Sequence, residues 1–263
     1  MQRVTSADGT PIAYERTGDG PPVIVVGGAF NDRNSAAPLA EALSAHLSVV
    51  RYDRRGRGDS GDTAPYHVDR EIEDLSALVS EIGGTTAVFG MSSGAALALR
   101  AAAAGVPIGR LALYEPPFVP DDEVERAHAR KRAAALRSLL AEGRRADAVV
   151  EFMTGTGMPA EMATRMRHAP MFPALEAMAH TLAYDTDVMG GATDGGAIPA
   201  DVVASVPVPA LAIYGEASPE RTAEITRRLA DLLPDGRRTV LAGQTHDVSP
   251  EIIAPVLVDF FTA

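Results

Sequence analysis

Ser92 stands at the centre of Gly90-Met91-Ser92-Ser93-Gly94, a G-x-S-x-G pattern preceded by the apolar run 86–89 and followed by an alanine-rich stretch ending near Gly105. Strand, motif and helix in that order hold a serine on a sharp turn with its hydroxyl clear of the sheet. Small residues two before and two after it let neighbouring chain approach, and a helix N-terminus behind it favours developing negative charge. The chemistry on offer is nucleophilic attack on a carbonyl, with the backbone N–H of Ser93 as an oxyanion donor and Met91 as a substrate-side neighbour. A small-residue turn needed only for packing is the competing reading. A serine hydroxyl is a poor nucleophile until a base takes its proton. His246, in Ala242-Gly243-Gln244-Thr245-His246-Asp247, is the candidate base, because it follows the last strand-like run and precedes the final helix. His128, His168 and His180 lie in a central helical stretch, and His46 and His67 sit in contexts suited to exposure.

Residues so far apart in the chain need a scaffold that brings loop ends together. Apolar, β-branched runs at 23–27, 47–52, 86–89, 111–114, 210–214 and 238–241 read as buried strands bounded by Gly, Pro or charge. They alternate with segments of helical period, such as Ile72, Leu75, Leu78, Val79 and Ile82, or Ile225, Leu229, Leu232 and Leu233. This is the pattern of a doubly wound α/β fold, a mostly parallel sheet of about eight strands covered on both faces. Asp8-Gly9 between two weaker runs signals an opening antiparallel hairpin. Ser249 is the expected N-cap of the last helix, with Pro250 at its first position.

Residues 117–207 break the alternation, being helical in composition without a strand. They read as an inserted lid, leaving 1–116 and 208–263 as the core. Seven of the nine methionines fall there: Met153, Met158, Met162, Met166, Met171, Met178 and Met189. Flexible thioethers suit either an adaptable pocket roof or ordinary gap-filling between helices. The segment 190–196, rich in glycine, reads as a loop or hinge.

Composition narrows the partners. The net charge of −11 over 263 residues repels phosphate backbones and anionic membranes. The basic cluster 125–132 reads as a solvated helix face. No apolar run approaches the roughly 18 residues of a membrane span, and the first eight residues lack the signature of a secretory signal. A chain with no cysteine has neither disulfides nor thiolates, which is compatible with a reducing compartment. The expectation is a cytoplasmic protein acting on a small molecule, with neither nucleic acid nor membrane as partner and a homodimer left open.

The chain resembles the α/β-hydrolase superfamily over its whole length. The resemblance rests on the Ser92 elbow, the late Gly243-x-x-His246, the Gly27-Gly28-Ala29-Phe30 turn after an early strand, and Asp53-Arg54-Arg55-Gly56-Arg57-Gly58-Asp59-Ser60 after the next. It implies a second oxyanion donor in the early turn, the backbone N–H of Ala29 or Phe30, although this chain has Gly27-Gly28 where His-Gly is common. It also implies an acid to orient the imidazole. The usual aspartate position after the strand 210–214 is occupied by Ser218, in Gly215-Glu216-Ala217-Ser218-Pro219. Glu115, in Tyr114-Glu115-Pro116-Pro117, is the first choice, because some members draw the acid from the preceding strand. Glu216, Glu220 or no acid at all are the alternatives, and a strand-end carboxylate that caps a helix is the bland reading of Glu115.

Two other motifs point elsewhere. Gly56-Arg57-Gly58-Asp59-Ser60-Gly61 matches G-x-G-x-x-G, but Pro65 stands where a phosphate-binding helix should be established. No two histidines have metal-ligand spacing. The expectation is therefore a cofactor-free, metal-free serine hydrolase acting on an ester, thioester or lactone. The rival is a small-molecule binder that keeps the pocket but has lost efficient turnover.

Overall fold

A computed structural model describes all of residues 1–263. The chain opens with a hairpin of β1 (Gln2–Thr5) and β2 (Pro11–Thr17) around Gly9, whose φ of 86° needs a residue without Cβ. There follow β3 (Pro22–Val26), α1 (Ala37–Leu43), β4 (Ser48–Tyr52), α2 (Val68–Ile82), β5 (Thr86–Met91), α3 (Ser93–Ala103) and β6 (Ile108–Tyr114). Six helices come next: α4 (Glu123–Ala141), α5 (Arg145–Gly155), α6 (Ala160–Met166), α7 (Phe172–Ala177), α8 (Thr181–Val188) and α9 (Ala200–Ala204). The chain closes with β7 (Ala210–Gly215), α10 (Glu220–Leu232), β8 (Gly236–Leu241) and α11 (Pro250–Thr262).

The eight strands form one sheet in the order β1-β2-β4-β3-β5-β6-β7-β8, antiparallel at β1 and β2 and parallel from β4 onward. Side chains alternate across it with a period of two. Ile24, Val26, Val88, Leu111 and Leu113 join the larger core beneath α2, α3 and α10. Val23, Val25, Phe89, Ala112 and Tyr114 join a second core beneath α1 and α11. Strands buried on both faces explain the continuous apolar runs. The chain crosses to β4 on one side of β3 and to β5 on the other, so the strand order reverses there. Such a reversal opens a crevice beyond the carboxyl ends of the strands.

The helices between β6 and β7 carry small apolar cores of their own, including Val149, Phe172 and Leu175 in one and Leu136, Ala148 and Leu182 in another. Val188, Met189, Val203 and Val206 return to the main core. Met153, Met158 and Met166 pack inside the insertion, Met162 and Met171 are exposed, and only Met189 of the seven borders the central cavity. Gap-filling is therefore their main use. Arg126 and Arg130 of α4 pair with Asp121 and Glu123 in solvent, as a solvated face requires. The Gly56 to Gly61 segment is a loop with no helix behind it. Ser249 occupies the N-cap position of α11, but its hydroxyl bonds to Glu251 instead of capping the backbone.

The elbow depends on how closely α3 approaches the sheet. A Cβ on Gly94 would lie 2.2 Å from the carbonyl oxygen of Val26 and 2.5 Å from that of Gly27, and one on Gly90 would lie 2.5 Å from Cα of Ala95. These contacts are with backbone, which cannot swing aside. Gly94→Ala is accordingly expected to cost about 3 kcal/mol or more, the upper range for overpacking. Urea denaturation measures this, and a loss below about 1 kcal/mol would contradict the packing described.

Candidate active site

Ser92 lies between the end of β5 and the start of α3 with φ 56° and ψ −129°, a backbone conformation rare for any residue with a side chain. Its N–H donates to the carbonyl of Tyr114 (2.9 Å) and its carbonyl accepts from Ala95 (2.9 Å), which brace the turn on both sides. The hydroxyl makes no hydrogen bond to the protein and borders a cavity of about 670 Å³. His246, with its side chain 51% exposed, borders the same cavity. The two side chains face a common space without a direct hydrogen bond, an arrangement that often tightens only when substrate is bound.

Glu115 is the acid that reaches the imidazole. It follows β6 with φ 43°, and its buried carboxylate accepts from Nδ1 of His246 at 2.8 Å through Oε2. Oε1 accepts the backbone N–H of Gly215 (2.8 Å) and the hydroxyl of Ser218 (2.6 Å). Burial alone would raise this carboxyl, but His246, Ser218 and the Gly215 N–H outweigh it and hold the group below the ordinary carboxylate range. Glu216 is exposed and accepts the Gly243 N–H (3.0 Å), and Glu220 opens α10 at the surface. Neither reaches the imidazole.

The histidine loop is fixed from below. The Tyr114 hydroxyl donates to the carbonyl of Thr245, the Ala217 N–H to that of Gln244 (2.8 Å), and the side chain of Gln244 accepts the Ser249 N–H (2.9 Å). A Cβ on Gly215 would come within 2.3 Å of the Gln244 carbonyl, so only glycine lets β7 run this close.

On the other side, Gly28 approaches Ser92 so closely that a Cβ there would lie 2.8 Å from that of the serine. Ala29 and Met91 border the cavity, whereas Phe30, at φ 59°, turns its ring into the insertion and meets Phe152 edge-on at 5.4 Å. No protein acceptor takes the N–H of Ala29 or Phe30. Ser93 opens α3, so its N–H lies outside the helix ladder and stands beside Ser92. The arrangement can bring a hydroxyl, an oriented imidazole and free backbone donors to one carbonyl carbon.

The family model for the alpha/beta hydrolase family matches residues 18–255. The chain belongs to the alpha/beta hydrolase family. An alpha/beta hydrolase from Sphaerobacter thermophilus DSM 20745 is 52% identical, covers 99% of this chain and 100% of its own, and superposes with a TM-score of 0.88. The uncharacterized hydrolase YraK of Bacillus subtilis (strain 168) is 35% identical over 95 residues, which is 35% of each protein. The enol-lactonase from Burkholderia xenovorans LB400 shares the fold at 23% identity, with full coverage of both chains and a TM-score of 0.66. This alpha/beta hydrolase is thus an enzyme with a hydrolytic function. No helix in it is long and apolar enough to cross a membrane.

Two contributors escaped the sequence. Ser218 gave no sign in the sequence that its hydroxyl would donate to Glu115. Asp185, on α8, borders the cavity and carried no motif at all.

Because Glu115 titrates lower in the folded chain than in the unfolded one, its contribution to stability is complete above the unfolded value and is lost as pH falls through the folded one. Glu115→Gln should therefore be less stable than wild type by about 1.5–3 kcal/mol at neutral pH, the value of a hydrogen bond to a charged group, with the gap closing as the pH falls below the ordinary carboxylate range. Thermal unfolding across that range tests it, and a gap independent of pH would show that the ionised carboxylate is not the stabilising species.

Proposed function

We propose that this enzyme is a serine hydrolase that transfers the acyl group of a small ester, thioester or lactone to water. The reading rests on one observation above all: the imidazole of His246 is held at 2.8 Å by a buried carboxylate and shares a cavity with the strained Ser92. His246 accepts the proton of Ser92 as Oγ attacks the carbonyl carbon, and the carbonyl π electrons move to oxygen. The oxyanion is met by the backbone N–H groups of Ser93 and Ala29, with Phe30 the second candidate in that turn. Collapse of the adduct expels the alkoxide or thiolate, which takes the proton back from His246. Water, deprotonated by the same imidazole, then attacks the acyl-enzyme and restores Ser92. Glu115 remains ionised throughout, orients Nδ1 and stabilises the imidazolium. No step calls for a cofactor or metal.

Residues 117–207 act as a lid over the cavity, with Phe152, Leu136 and Met189 on its inner side. The solved neighbours named as an enol-lactonase and as a thermophilic esterase from Thermogutta terrifontis act, by those names, on carbonyl substrates of this class, although at 23% and 22% identity they share only the fold. The setting is the cytoplasm, with a small molecule as the partner.

A fluorophosphonate probe should label the wild type and leave Ser92→Ala unlabelled. Hydrolysis of p-nitrophenyl acetate should fall by at least about 10⁴-fold in Ser92→Ala and by roughly 10²- to 10⁴-fold in Glu115→Gln. Glu216→Gln should stay within about threefold of wild type, as a surface change away from the machinery does. Labelling that survives Ser92→Ala, or a greater loss in Glu216→Gln than in Glu115→Gln, would overturn the assignment.

A further inference from the structure

Asp185 comes from α8, in the insertion, yet its buried carboxylate is tied to both sources of the backbone donors that acyl transfer would use. Oδ1 accepts the hydroxyl of Ser93 (2.7 Å) and Nη1 of Arg54 (2.7 Å), and Nη2 of Arg57 reaches both oxygens at 2.8 and 2.9 Å. The other end of the Arg57 fork, Nη1, donates to the carbonyl oxygen of Gly28 at 2.5 Å. Arg54 holds Glu71 with two bonds of 2.7 Å and also reaches the carbonyl of Gly27 (3.3 Å).

The contact to Gly28 has a geometric consequence. Carbonyl and N–H of one trans peptide point to opposite sides of a rigid plane. A guanidinium drawing the Gly28 oxygen to one side therefore aims the Ala29 N–H to the other, and Ala29 borders the cavity. Ser93 is held through its hydroxyl at the same carboxylate, which fixes the first turn of α3 where its N–H emerges. Nε of Arg57 is buried with no partner, an uncompensated group of the sort tolerated where a side chain is held for its remaining contacts.

We infer that Asp185 is a positioning residue for the oxyanion hole, locking the Gly28–Ala29 peptide through Arg57 and the Ser93 turn directly. The docking of α8 thus aligns both donors at once. The inference rests on the acyl-transfer reading and adds to it a residue that touches neither the nucleophile nor the base.

Asp185→Asn and Ser93→Ala separate this role from plain support of the fold. Asp185→Asn removes the charge between two buried guanidiniums, whereas Ser93→Ala deletes one hydroxyl and leaves every charge in place, so it stays folded if the first does not. With p-nitrophenyl acetate, kcat should fall about 10- to 100-fold in Asp185→Asn and about tenfold in Ser93→Ala, while KM stays within about twofold. Affinity for a trifluoromethyl ketone, whose hemiketal oxyanion needs the same donors, should weaken in step with kcat/KM. Folded variants that melt at lower temperature but keep wild-type kcat and inhibitor affinity would overturn the inference alone. A wild type that fluorophosphonate does not label at Ser92 would overturn the acyl-transfer reading and this inference with it.

Discussion

A carboxylate taken out of water must be met by donors, and at Glu115 these arrive from separate stretches of chain. The Gly215 N–H comes from the end of β7, the Ser218 hydroxyl from the turn beyond it, and the His246 ring from the loop after β8. An unpaired buried ion costs several kcal/mol, whereas holding a non-glycine residue at positive φ costs about 1–3 kcal/mol. The larger penalty sets the geometry, and the strained backbone of Glu115 is accepted for it. Moving any of the three donors would leave the anion short of a partner, so the same requirement that satisfies the carboxylate also fixes the imidazole.

The opposite wall of the cavity follows the same physics with the signs reversed. Arg54, Arg55 and Arg57 are all buried, and each meets carboxylates: Glu71 and Asp185, Asp74 and Asp8, and Asp185 again. A guanidinium presents donors in a fixed fork, so every such pair is also an orientation. The loop after β4 thereby becomes a rigid hub that joins the hairpin, α2, the turn after β3 and α8. Burial on its own would raise the Asp185 carboxyl, but Arg57, Arg54 and Ser93 outweigh it and hold the group below the ordinary carboxylate range. Ser92 consequently sits between two clusters in which each carboxylate has donors around it.

What could be read from the sequence was what local rules encode. Strands buried on both faces announce themselves as apolar runs, and the elbow at Ser92 needs only its own small neighbours and the strand and helix on either side. His246 was legible because it follows the last strand, and all strand ends of one polarity share an edge of the sheet. Contacts between distant residues left no such trace. Nothing in Gly215-Glu216-Ala217-Ser218 says that the serine will donate to a carboxylate 103 residues earlier. Asp185 is one acidic residue among 35, and its partners lie some 130 residues away. The pairing of Ala29 with the cavity and Phe30 with Phe152 depends on the turn's positive φ, which neither residue type advertises.

The position of Glu115 also bears on the serine at 218. Tyr114 pairs with Ile213 across parallel strands, so Glu115 ends up beside the turn that follows β7. Ser218 Oγ lies 2.6 Å from Glu115 Oε1, in space that an aspartate side chain at 218 would have to share. Two carboxylates at that separation cannot both be ionised, and one would be driven to hold a proton. On the acyl-transfer reading, a neutral acid beside the imidazole would lose the stabilisation of its cation. Glutamate at 115 and aspartate at 218 are therefore alternatives that exclude each other. A hydroxyl at 218 is a donor where a carboxylate would be a competitor, so the two residues have to be read as one solution to a single electrostatic constraint.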